Sequence, residues 1–354
     1  MSLKLDFDIV PDPGGHRRDL LLKGDWLNVL LSDRQIIGRG EASHSGDDAG
    51  CLAKVRELFA LHVADRKVDL AFIRSLESGS FCTAPDFLTA TAISALNQAL
   101  CDWVAQEKGI PAWNLFQSSP AQGSVEFYAT INRALTTRTS EDYRHVMGLA
   151  LARGFTSFKC APFEAVTKAG DQVSQAQSGL EMLRLLRREF PRARLRVDFH
   201  QRFRVENFLQ ILPQVDALGL EWIEEPCPVG PAYQEIRRRA RTPIAAGELH
   251  FGPHRFQEIM TEGWANVIMP DVKHVGGFGP LVDVIRLAEK NGVAVSPHNP
   301  SGPISTLASL QAAAVSTAVT SLEIPFLPET QTPWEKLIQG DRLVIPAGAG
   351  WGMV

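Results

Sequence analysis

Six ionisable residues, Asp198, Glu224, Glu248, Asp271, His298 and Glu323, recur at intervals of 23–27 residues through the second half of this 354-residue chain. Each closes a short run of aliphatic, β-branched or aromatic residues, and one strand with its return helix needs about that much chain. The interval therefore predicts six consecutive strand ends on one rim. Neighbouring strands lie about 4.8 Å apart, so Asp198, Glu224 and Glu248 can converge on one point. Three carboxylates there repel one another, and a hard divalent cation relieves the repulsion. Oxygen-only ligation, with positions left for water and substrate, suits Mg²⁺ better than zinc. Glu224 and Glu225 are adjacent, so on a strand only one of them faces inward, and spacing does not choose between them.

Two imidazoles and an amine complete the set. Residues i and i+2 of a strand share a face, which predicts His200 just beyond Asp198, over the metal, where it could protonate a leaving group. Lys159, in SFKC, is predicted to face the same rim from the second strand and to offer a cation to developing negative charge, with Ala161 as its i+2 partner. His298, in VSPHNP, lies across the barrel from those strands, and Asp271 on the adjacent strand could orient it and support its imidazolium form, a general-base dyad. Singly, each of these has an ordinary reading as a structural histidine, a salt bridge or a solvated acid; the shared rim is what argues for chemistry. His250 and His254 have i, i+4 spacing without H-E-x-x-H, and VGGFG at 275–279 matches neither nucleotide fingerprint, so both read as loops.

The elements that must position these groups are eight runs alternating with helix-length amphipathic segments: EFYATI, SFKC, RLRVDF, LEWIEE, PIAA, NVIM, VAVS and SLEI. Eight strand-then-helix units predict an α/β fold, a (β/α)8 barrel of TIM type whose site is built at the strands' C-terminal ends. Before it, LKLDFDIV, WLNVLL and IIGRGEAS read as a small hairpin-like sheet, and residues 89–108 as a helix stopped by Gly109 and Pro111. This predicts an N-terminal α+β capping domain over 1–124, rejoined by the tail 325–354, and a barrel over 125–324. The net charge of −4 and pI near 6.2 offer no basic surplus for nucleic acid or an anionic membrane. Five scattered cysteines without a C-x-x-C pair argue against a disulfide framework and for a reducing, cytoplasmic setting. Neither a leader-like start nor a membrane-length apolar run is present.

In order along the chain, GRGEAS, ALNQALCDW, VDFH, WIEEP, IAAGE, MPDVKHVGG, SPHNPSGP and VIPAGAGWG resemble the enolase superfamily, specifically its mandelate racemase-like subgroup and the acid-sugar, galactonate-type dehydratase branch. The resemblance implies that Asp198, Glu224 and Glu248 ligate Mg²⁺, that His298 with Asp271 is the base, that His200 is the acid, and that Glu323 stands beside the substrate. It aligns Lys159 with the first lysine of a second-strand K-x-K. It disfavours a muconate-cycloisomerase-like reading, which would place lysine at Asp271. Ala161 stands where the second, catalytic lysine would be, so a base on that side of the substrate is missing. Dehydration needs a base for the α-proton and an acid for the β-hydroxyl, whereas racemisation needs proton exchange on both faces. The expected activity is therefore Mg²⁺-dependent conversion of a sugar acid to a 2-keto-3-deoxy acid. The alternatives are a racemase or epimerase of a hydroxy acid or amino-acid derivative, and a metal- and ligand-binding barrel without turnover. The resemblance also implies a homo-oligomer and assigns specificity to the loop at residues 11–19, where His16 or Arg17 could reach the substrate's far end.

Overall fold

The computed structural model describes residues 3–11, 25–43, 46–330 and 332–353. Strands β1 (Lys4–Val10), β2 (Trp26–Ser32) and β3 (Ile37–Glu41) form an antiparallel sheet in that order. Helices α1 (Asp48–His62), α2 (Leu70–Glu77) and α3 (Phe87–Glu107) follow. Each starts at an aspartate, Asp47, Asp69 or Asp86, whose carboxylate accepts an amide N–H of the first turn. The third helix, expected over 89–108, is buried almost throughout. It can press on β3 because that strand carries Gly38 and Gly40: a Cβ at Gly40 would stand 2.0 Å from the carbonyl oxygen of Ala95.

The remainder alternates strand and helix: β4 (Ser124–Thr130), α4 (Ser140–Ala152), β5 (Ser157–Cys160), α5 (Gln172–Gln175), α6 (Gln177–Glu189), β6 (Arg194–Asp198), α7 (Val205–Asp216), β7 (Trp222–Glu224), α8 (Tyr233–Arg239), β8 (Ile244–Ala246), α9 (Pro253–Thr261), β9 (Val267–Ile268), α10 (Phe278–Asn291), β10 (Ala294–Val295), α11 (Pro303–Ala313) and β11 (Ser321–Pro325). Each of strands β4 to β9 pairs in parallel with the next, and β11 returns to pair in parallel with β4. A Val295–Val319 bridge and a 2.9 Å bond from the Thr320 amide to the Val295 carbonyl close the last seam. The fold is a TIM barrel with an N-terminal cap, and its eight strands fall on the eight runs read from the sequence. Among the described residues no α-helix follows β11. The chain continues into β12 (Ile338–Gln339) and β13 (Arg342–Val344), and β13 adds antiparallel to the start of β4. The tail thus touches two layers: beyond β13, Gly350 bridges Pro111, and the Trp351 indole donates to the Arg39 carbonyl at 2.7 Å.

Strand alternation sorts the side chains. Phe158, Leu195, Val197 and Ile223 point outward into the large apolar layer shared with the helices, whereas Tyr128, Trp222, Ala245, Val267 and Met269 form a separate cluster inside the barrel. Above that inner floor the same alternation presents charged residues.

Candidate active site

Lys159, Asp198 and Glu224 occupy the inward positions at the C-terminal ends of β5, β6 and β7, and Asp198 and Glu224 are paired in register. The Lys159 ammonium is 2 % exposed; it donates to Glu224 and lies 3.2 Å from Asp198 Oδ2 and 3.4 Å from Glu323 Oε2. Burial opposes its charge, but the carboxylates of Glu224, Glu323 and Asp198 outweigh burial and raise its pKa well above the lysine range. Lys159 is a fixed cation.

His200 reaches this cluster by a different route from the one expected. The strand ends at Asp198, and His200 and Gln201 turn back with φ of 48° and 55°. A tight turn, rather than strand alternation, brings His200 Nε2 to 3.0 Å from Asp198 Oδ2 while its amide donates to Asp198 Oδ1 at 2.8 Å. On its other side Nδ1 lies 2.7 Å from Glu164 Oε1. Burial disfavours the imidazolium, but Asp198 and Glu164 outweigh it and lift the His200 pKa well above the ordinary value. His200 therefore carries a proton to give.

Strict alternation also fails at Glu225. Its φ of 38° breaks the pleat, so both acids of EEP are buried at the same end instead of one facing away. Glu224 pairs with Lys159 and accepts from the Trp222 indole at 3.2 Å, whereas Glu225 lines the cavity, accepts from the Gly247 amide at 2.8 Å and is held by Gln201.

Opposite, His298 follows β10 and Asp271 follows β9. His298 Nδ1 is 2.7 Å from Asp271 Oδ2, and Nε2 is 3.0 Å from Glu248 Oε2 and 3.9 Å from Glu323 Oε2. Asp271 also receives Lys273 Nζ on both oxygens, at 2.8 and 2.7 Å. Burial alone would raise the Asp271 carboxyl, but Lys273, His274 and His298 hold it well below the carboxylate range. Asp271 is an anion that orients His298.

These groups, except Glu224, which lies beneath Lys159, line a cavity of about 500 Å³. The N-terminal layer meets it through α3, where Thr91 Oγ1 is 3.0 Å from His274 Nδ1 and the Phe87 and His274 rings lie 4.3 Å apart. Burial pushes the His274 pKa down to about 3, so this imidazole is neutral. Residues 12–19 of the expected specificity loop, with His16 and Arg17, lie outside the described residues.

A cation site fits the acids present. Ligand atoms of Glu224, Glu248 and His298 lie within 4.8 Å of one another. Glu248 Oε2 is buried and accepts no hydrogen bond. Burial, then the charges of Asp198 and Glu323, pushes the Glu224 carboxyl up to about 8 against the pull of Lys159, and burial with Asp198 and Glu225 raises Glu248 well above its usual range. Carboxylates so placed need a counter-cation. Asp198 is more fully engaged, since burial would raise it but His200 and Lys159 hold it well down.

Among the cavity residues not singled out in the sequence are Lys273, His274, Glu164 and Arg138. Lys273 is i+2 from Asp271, the relation that pointed to His200, and was legible by that rule. His274 was hidden because its partners lie on α3. Glu164 and Arg138 sit in irregular loops that carry no pattern. His250 lies in the loop between β8 and α9 as read, but His254, also read as a loop residue, is in the first turn of α9, started by Pro253; Gly276 and Gly277 of VGGFG adopt φ of 114° and 101° in the turn before α10.

Residues 142–354 match the family model described as enolase C-terminal domain-like. The chain belongs to this family. This enolase-like chain is 25% identical over 288 residues to a D-galactonate dehydratase of Verminephrobacter eiseniae, covering 79% of the chain and 72% of that relative. A D-galactonate dehydratase of Pectobacterium atrosepticum matches at 25% over 285 residues, with 79% and 72% covered. Among solved structures, a mandelate racemase/muconate lactonizing enzyme-like protein from Roseovarius sp. TM1035 superposes with a TM-score of 0.83 at 22% identity, covering 100% of this chain and 93% of the other. An enolase from Agrobacterium radiobacter, bound to Na and L-malate, gives 0.82 at 21%, with 99% and 92% covered. The structural likenesses establish the fold alone, a TIM barrel with an N-terminal cap.

Proposed function

We propose that this enolase-like barrel is a sugar-acid dehydratase that removes the proton α to a carboxylate and expels the β-hydroxyl, giving a 2-keto-3-deoxy acid after the enol tautomerises. One observation carries the reading. Two imidazoles, each held by carboxylates, stand on the third and seventh strands of an eight-stranded barrel, hence across the cavity from each other, with the Lys159 ammonium between them. His298, fixed through Nδ1 by Asp271, turns Nε2 inward as the base. Asp271 stabilises the imidazolium that forms, without taking its proton. His200, protonated between Asp198 and Glu164, donates to the departing hydroxyl. Lys159 sits where negative charge grows on the substrate carboxylate, so its stabilisation is largest in the transition state.

Asp198, Glu224 and Glu248 would hold Mg²⁺, which supplies Lewis-acid stabilisation to the substrate carboxylate when bound. An epimerase would need a second base facing His298 at the same carbon. Ala161 provides none, and Lys273, in the turn after β9, is tied to Asp271 beside His298, so it does not stand opposite. The dehydratases among the curated relatives support the same choice. Incubating the Mg²⁺-loaded protein with mono- and diacid sugars and assaying 2-keto-acid formation tests the reading. Solvent deuterium entering the α-carbon without loss of water would replace it with epimerisation, and turnover confined to amino-acid derivatives would reject it.

A further inference from the structure

The outer wall of the cavity carries cations that proton transfer does not use. Arg138, in the loop between β4 and α4, and Lys168, in the loop after β5, both line it. Arg138 has a left-handed backbone, φ 55°, which a bulky residue seldom adopts. The cause is Asp142 in the first turn of α4, whose Oδ2 accepts the amides of Thr136, Thr137 and Arg138 at 2.6, 2.7 and 2.9 Å. This clamp holds a guanidinium whose only close acid among the described residues is in a long ion pair and one of whose nitrogens makes no hydrogen bond. Arg138 Nη1 is buried without a hydrogen-bond partner, and the acid facing it, Glu164, is 3.7 Å away. Such a donor is costly to leave unmatched.

Glu164 does not balance this wall. Its Oε1 is engaged by His200 at 2.7 Å, and its Oε2 by Arg202. Among the described residues Lys168 forms no ion pair. Arg138 and Arg202 thus share the Glu164 carboxylate with His200, and Lys168 is left without a partner acid among the described residues, whereas the inner end of the same cavity is crowded with acids. The two ends are joined by short contacts: Asp198 to His200 at 3.0 Å, His200 to Glu164 at 2.7 Å and Glu164 to Arg138 at 3.7 Å. Arg138 thus lies one imidazole and one carboxylate outward from Asp198. A ligand with one anionic end among the inner residues would bring its other end to Arg138.

We infer that Arg138, with Lys168, binds a second anionic group at the far end of the substrate, so that dianionic sugar acids are preferred to plain aldonates. This rests on the dehydratase reading and narrows it. A carboxylate and a phosphate would satisfy the same donors, so the test carries both. Specificity constants are measured for galactarate, 6-phosphogluconate and galactonate on the Mg²⁺-loaded wild type, Arg138→Met, Lys168→Met and Asp142→Asn, with calorimetric titration of the same three acids and a melting curve for each variant. The expected result is that one dianionic probe exceeds galactonate and that Arg138→Met lowers this ratio roughly 10- to 100-fold, with a smaller drop for Asp142→Asn, which loosens the clamp. The favoured probe identifies the second group. A ratio at or below one, or one that no folded variant moves, overturns the inference. If no acid is turned over, the dehydratase reading fails on its own, and the titrations still decide. Weaker binding of a dianionic probe to Arg138→Met upholds the second-anion site, and equal affinity overturns it.

Discussion

Lys159 and Arg196 are direct neighbours in the β5–β6 register, two buried cations inside one barrel, yet their surroundings are opposite. Lys159 faces the mouth and is ringed by Glu224, Asp198 and Glu323. Arg196 faces the floor, with Tyr128 and Trp222 each 4.4 Å from its guanidinium carbon, Ser157 accepting a hydrogen bond, and Glu221 at 3.6 Å. Burial pulls the Arg196 pKa below its usual value, while the acids around Lys159 drive that one upward. The difference separates function from support. A cation among anions can exchange partners with a substrate carboxylate, whereas one between aromatic faces is spent on packing.

The largest effects should come from the mouth. Lys159→Met is expected to lower kcat by about 10³-fold and, because it leaves buried acids without their amine, to enlarge the rise in melting temperature produced by Mg²⁺. If turnover survives this change, the contrast between the two cations fails. His298→Asn and His200→Asn should each cost about 10²- to 10⁴-fold in kcat, but with different signatures. Without His298, α-proton exchange in D₂O stops; without His200, exchange continues while water is no longer expelled. Treatment with a chelator should abolish activity, and Mg²⁺ should restore it.

The floor should respond in stability instead. Arg196→Met removes a cation stacked on two rings and is expected to lower unfolding free energy by about 2 kcal/mol, read from denaturant curves, with kcat/KM changed only a few-fold. A larger kinetic than thermodynamic effect would show that the floor takes part in chemistry.

A pH-dependent effect, without consequence for turnover, lies away from both cations. Asp102 joins the cap to the tail by accepting the amides of Arg39 at 2.8 Å and Trp351 at 2.9 Å, and burial raises its pKa to about 7. A carboxyl raised on folding contributes stability that is whole below its unfolded pKa near 4 and is lost as pH rises towards 7, at up to about 1.4 kcal/mol per pH unit. Unfolding curves of Asp102→Asn, subtracted from those of the wild type between pH 4 and 7, should show that slope removed. Parallel curves would refute the assignment.

Much of this architecture was legible in the sequence, and for identifiable reasons. The eight runs, the 23–27-residue interval of acids and the placement of Asp271 beside His298 follow from the fixed length of a strand-and-helix unit. Where reading failed, the backbone had left regular geometry. His200 and Glu225 have positive φ, so the two-residue alternation that works inside a strand stops applying one residue after it ends. The i+2 relation found His200 by its spacing but attributed its position to the wrong backbone, and it assigned only one inward place to the pair Glu224 and Glu225. The tail, expected to rejoin the cap, also extends the barrel sheet through β13.

The order of residue types along the chain determined the barrel, the rim on which the ionisable groups stand and the missing amine at Ala161, because periodicity and unit length are local properties. Tertiary structure decided which charge meets which. Glu164 on His200, Thr91 on His274 and the rings of Tyr128 and Trp222 on Arg196 join side chains 26 to 183 residues apart. Coulombic and desolvation energies depend on separation in space, which no spacing along the chain specifies.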